Sequence, residues 1–141
     1  MTMQSVPLDR IVEQAPDPMI FADLEGAIRV WNEAATRMFG HSAQEALGQK
    51  LDLIIPERFR DQHWTGFDRA LGDRDTKFKG QVLTTRSMRK DGTTMYLELT
   101  FSIVTNAEGE AMGALAHARD VTERFERERA QRAQARAEQP A

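Results

Sequence analysis

The chain has 141 residues, no cysteine, and a net charge of −3 from 19 basic and 22 acidic side chains. That length suits one domain around one core, and the absence of thiols excludes disulfides, Cys-ligated metals and thiol nucleophiles. No basic patch interleaves with aromatics, no apolar run approaches the ~20 residues that cross a bilayer, and MTMQSVPLDR is no secretory signal. The expectation is a cytoplasmic protein that engages neither nucleic acid nor membrane.

Leu8, Ile11 and Val12 fall at helical spacing and predict a short amphipathic helix ended by Pro16 and Pro18. Met19 to Ala22 reads as a strand, Asp23-Leu24-Glu25-Gly26 as a tight turn, and Ala27 to Trp31 as the hairpin partner. Three short helical pieces follow: Asn32 to Phe39 closing on Gly40, Ser42 to Leu47 closing on Gly48, and Asp52 to Ile55 stopped by Pro56. Asn32 reads as an N-cap.

Glu57 to about Leu71 predicts one longer helix. At about 100° per residue, Phe59, His63, Phe67, Ala70 and Leu71 share an arc, with Trp64 at its edge. Asp61, Thr65, Asp68 and Arg69 point elsewhere, so His63 sits within the stripe that this helix buries. Three strands come next: Lys79 to Met88, Thr94 to Thr105 after the turn Arg89-Lys90-Asp91-Gly92, and Ala111 to Val121. The middle one alternates Met95, Leu97, Leu99, Phe101 and Ile103 against Tyr96, Glu98, Thr100 and Ser102. In the last, Ala114, Ala116 and Ala118 face opposite to Leu115, His117 and Arg119. Three methyls in a row leave room either for a flat ligand or for a closely packed helix. Asp120-Val121-Thr122 marks a joint to a polar exit helix, with Thr122 as its N-cap.

Two strands, a helical middle, three strands and an exit helix imply an α+β fold with an antiparallel sheet. This order and its motifs resemble the PAS fold over about residues 8–125. The motifs are the hairpin leading to Trp31-Asn32, the MFG segment ending at Gly48, RKDGTTMYLELTFSIV, and ARDVTER before the exit helix. The resemblance implies a five-stranded antiparallel sheet with a helical layer on one face and flanking helices at both ends. Its parts are an N-terminal helix over 1–15, the PAS domain over 16–122 and a signalling helix or tail over 123–141. It also implies a sensory module without catalysis, a homodimer and a downstream signalling protein as partner. Photosensory members that form a cysteine adduct are excluded, because this chain has no cysteine.

Ile55-Pro56 followed seven residues later by His63 resembles the haem-binding FixL and Dos branch of that superfamily. The likeness implies haem b with His63 as axial ligand, Arg69 and Lys77 near the propionates, and a diatomic gas as ligand. Phe78, Leu83, Leu99 and Phe101 fall on its apolar distal wall, with Ala116 and Ala118 on the strand beside it. The chain departs from the branch at Leu83, where the oxygen sensors carry arginine, and at Gln81, where the Dos type carries methionine. A pocket of this kind takes a neutral diatomic without charge-assisted hydrogen bonding. The other reading of the same residues is a cofactor-free interaction module, with the N-terminal helix and the outer sheet face as its dimer contact.

Overall fold

The computed structural model describes residues 5–73 and 82–139. In chain order it has helix α1 (Leu8–Gln14), strands β1 (Met19–Asp23) and β2 (Ile28–Trp31), and helices α2 (Glu33–Phe39), α3 (Ala43–Ala46) and α4 (Arg60–Asp73). Strands β3 (Leu83–Met88), β4 (Thr94–Thr105) and β5 (Ala111–Asp120) follow, and helix α5 (Thr122–Glu138) leaves the domain. The strands form one antiparallel sheet in the order β2-β1-β5-β4-β3. The last strand therefore lies at the centre, closing the gap between the two hairpins.

Pairing register decides which side chains meet. Leu83 opposes Leu99, which opposes Ala118; Phe101 opposes Ala116, which opposes Ile20. These residues share the face on which the helices pack, with Ile20, Ile28, Trp31, Ala35, Phe39, Ala46, Ile54, Met95, Leu97 and Ala118 forming one core cluster. Fully burying a side chain the size of Phe39, Ile28, Met95 or Leu97 contributes about 1.5–3 kcal/mol each. The alternation predicted for β4 holds, and His117 sits on the opposite face from the alanines, paired with Met19 and Thr100.

Local chemistry sets the helix ends. Asn32 caps α2, its Oδ1 accepting from the Ala35 N–H at 3.1 Å. The same oxygen accepts from Met19 N–H, and the amide nitrogen donates to the carbonyls of Val12 and Asp17. One buried side chain thus ties the end of α1, the start of β1 and the start of α2. Ser42 and Glu45 form a reciprocal capping box on α3.

Several boundaries differ from the sequence reading. Ser42 is a cap outside α3, and Leu47 is already extended. Ala27 bridges to Lys50 instead of continuing β2. The expected helix from Glu57 opens as a 3₁₀ turn, Glu57–Phe59, before α4 begins, and another 3₁₀ turn spans Leu51–Ile54. The described part of β3 starts at Leu83; Lys79 to Gln81 lie outside the described residues. Thr122 is the first residue of α5, not its cap. Its hydroxyl accepts from Tyr96 N–H and donates to Asp120 Oδ1, so both bonds aim it at the sheet and away from its own helix. The amphipathic α1 packs beside α2, yet Leu8 and Ile11 stay 68% and 53% exposed.

Candidate functional site

Helix α4 is anchored at its start by two side chains that reach back to the preceding turn. The Arg60 guanidinium donates to the carbonyls of Ile55 and Asp52 at 3.0 and 3.2 Å, the latter already accepting from the Ile55 N–H within the turn. One turn later the Trp64 indole N–H donates to Asp52 Oδ1 at 2.7 Å. The Trp64 ring also lies on Gly26, in the β1–β2 turn, where a methyl group would overlap it. With φ at +81°, that turn position favours glycine on conformational grounds as well.

His63 stands between these anchors and Phe67, the one buried residue of α4. Its ring meets Trp64 edge-on at 4.8 Å between centroids and Phe67 at 6.0 Å. Its Nδ1 is buried and has no hydrogen-bond partner among the described residues. Burial lowers the His63 pKa below the ordinary 6.5, partly opposed by the Asp52 and Asp68 carboxylates. The ring is therefore held neutral near pH 7, the form in which an imidazole coordinates a metal.

The remaining residues singled out in the sequence divide into three groups. Leu83, Leu99, Phe101, Ala116 and Ala118 come together on the helix-facing side of the sheet, in two neighbouring cross-strand rows. Arg69 is exposed on α4, about 120° around the helix from His63. Lys77 and Phe78, with Gln81, lie outside the described residues. Helix α4 packs against β5, the strand that carries the alanines. Sequence reasoning missed Asp52 and Gly26 and left Trp64 at the edge of the stripe. A separation of twelve residues between donor and acceptor leaves no local pattern to read.

Two surface clefts are also present. One of about 410 Å³ is lined by Gln49, Lys50, Asp52, Leu53 and Arg60. The other, about 380 Å³, lies between Pro16–Pro18, Ala34, Arg37, Met38, Arg119 and Asp120. Neither includes His63 or the sheet residues named above. No helix among the described residues is long and apolar enough to cross a membrane.

The sequence matches the PAS fold family over residues 8–121. This chain belongs to the PAS family. It is 34% identical to the sensor protein FixL of Bradyrhizobium diazoefficiens over 93 residues, covering 66% of this chain and 18% of that protein. An uncharacterized protein of Azorhizobium caulinodans is 31% identical over 121 residues, covering 85% and 16% respectively. The chain thus spans less than a fifth of either relative. Among solved structures, a PAS domain from Colwellia psychrerythraea superposes with a TM-score of 0.71 at 21% identity, covering 82% of this chain and 95% of that one. An RNA-binding light-oxygen-voltage receptor does so at 0.74 and 24%, covering 96% and 40%. The PAS architecture, with its five-stranded antiparallel sheet and flanking helices, is the shared feature.

Proposed function

We propose that this PAS domain binds haem b through His63 and senses a diatomic gas or a redox state. The observation that carries the reading is the buried, unpartnered nitrogen of His63 beside the rings of Trp64 and Phe67, on a helix that packs on the sheet. Leaving a buried nitrogen unpaired costs about 1–3 kcal/mol, which engagement of the ring by a ligand offsets. The 34% identity to a sensor named FixL supports the same reading. Haem bound there supplies an iron centre whose ligation or oxidation state changes with the signal. In this reading Leu83, Leu99 and Phe101 keep water out, and Ala116 and Ala118 limit side-chain bulk beneath the helix. Arg69 and Lys77 hold the propionates, and Leu83 offers no hydrogen-bond donor to a bound gas. A change at α4 reaches β5 directly and passes through Asp120 to α5, toward a partner signalling protein or a second copy in a homodimer.

Absorbance tests this reading. The purified protein, or the protein after haemin is added, develops a Soret band that shifts on reduction and again with carbon monoxide. A protein that stays colourless with haemin contradicts it. In that case a cofactor-free interaction module is the better account, and the exposure of Val6, Leu8 and Ile11 favours that second reading. Charging Leu8 and Ile11 to aspartate would then split a homodimer in light scattering.

A further inference from the structure

We infer that Trp64 is a positioning residue for His63, and that Asp52, Trp64 and Gly26 act together as a clamp fixing the rotation of α4. The inference rests on the reading of His63 as a ligand and adds what orients it.

Three observations converge. The indole is held at its polar end by the 2.7 Å bond to Asp52 and at its six-membered ring by the backbone of Gly26. Its flank meets the edge of His63 at 4.8 Å and that of Phe67 at 5.3 Å. A side chain pinned at both ends cannot turn, and its Cα is the immediate neighbour of the His63 Cα. Any rotation of α4 about its axis that re-aims His63 must break the Asp52 bond or drive the indole off Gly26. Histidines that bind metal are ordinarily held in orientation by a contact outside the metal itself. Packing against a locked tryptophan supplies that contact here. The clamp also joins α4 to the β1–β2 turn, so a shift of the helix is felt at the hairpin.

Two conservative variants test this. Trp64→Phe keeps an aromatic ring and removes the N–H; Asp52→Ala removes the acceptor and leaves the ring. Both are compared with the exposed control Gln44→Ala. In the ligand-free protein, side-chain NMR of His63 is expected to show one sharp ring environment in the wild type and the control, and broadened or multiple environments in both variants. Haemin affinity falls about 10-fold or more in both, the range found when groups orienting a metal ligand are removed. A second cycle examines Gly26: Gly26→Ala perturbs the His63 signals less in a Trp64→Ala background than alone. Unchanged His63 signals in both Trp64→Phe and Asp52→Ala, in folded protein, overturn the inference. If the wild type takes up no haemin while the His63 signals respond to the two variants, the clamp stands and the haem reading falls.

Discussion

The ring of Phe125 lies flat on that of Tyr96, with centroids 3.9 Å apart and planes 16° from parallel. Around it, the Tyr96 carbonyl accepts from Val121 N–H at 2.8 Å, and the Tyr96 N–H donates to the Thr122 hydroxyl at 2.9 Å. Arg86 covers Tyr96 within 5.3 Å of its ring, and Arg124 pairs with Glu98 on the same strand. The first turn of α5 is thus fastened to β4, while the helix beyond it is exposed. Phe125→Ala is expected to lose the stack, worth about 0.5–1.5 kcal/mol beyond the buried area. Hydrogen exchange of the amides from Thr122 to about Glu128 would then quicken, with little change in the β4 core. Uniform acceleration through β4 and β5 would show that the contact supports the whole sheet instead.

Asn32 is 1% exposed and uses both ends of its amide in four hydrogen bonds. Removing it uncaps α2, leaves the buried Ala35 N–H and the Met19 N–H without that acceptor, and takes a donor from the part-buried carbonyls of Val12 and Asp17. Asn32→Ala should cost roughly 3 kcal/mol, combining a lost cap with unpaired buried groups. The midpoint of urea unfolding measures it. A loss under about 1 kcal/mol would mean that the cap alone mattered.

His41 and His63 both have pKa values lowered from 6.5, and burial is the largest cause in each case. At His41 the Glu45 carboxylate opposes the shift and Lys90 adds to it; at His63 the Asp52 and Asp68 carboxylates oppose it. The unfolded imidazoles take protons near pH 6.5, and the folded ones refuse them until the pH is lower. Stability from this source is therefore complete above pH 6.5 and is lost as the pH falls through the folded values. Urea midpoints should decline as the pH falls below about 6.5, and His41→Leu should flatten the decline. An unchanged slope in that variant assigns the effect elsewhere. The salt-bridged Glu45, lowered to about 2 chiefly by its bond to Lys90, adds a separate loss at more acid pH.

Much of this fold is legible in the sequence because its signals are local. The alternation of Met95 to Ile103, the turn at Gly92 and the cap at Asn32 each lie within a few residues of what they determine. The stripe of α4 is equally clear, with Phe67 buried and His63 partly so. What escaped depends on contacts distant in sequence: the reach of Trp64 to Asp52 and Gly26, the three further bonds of Asn32, and Ser87 donating to the Ile54 carbonyl. Thr122 shows the same limit. Its sequence context fits an N-cap, yet a neighbouring strand claims the hydroxyl first.

The role of His63 is tested most directly by replacing it and restoring the ring from solution. His63→Gly removes the imidazole at a helical cost of about 1 kcal/mol, which a folded domain tolerates. With haemin added, the variant should lack the wild-type ferric spectrum and regain it when free imidazole is supplied. A His63→Gly protein that binds haemin with the wild-type spectrum and affinity, in the absence of imidazole, would contradict the assignment of His63 as the ligand.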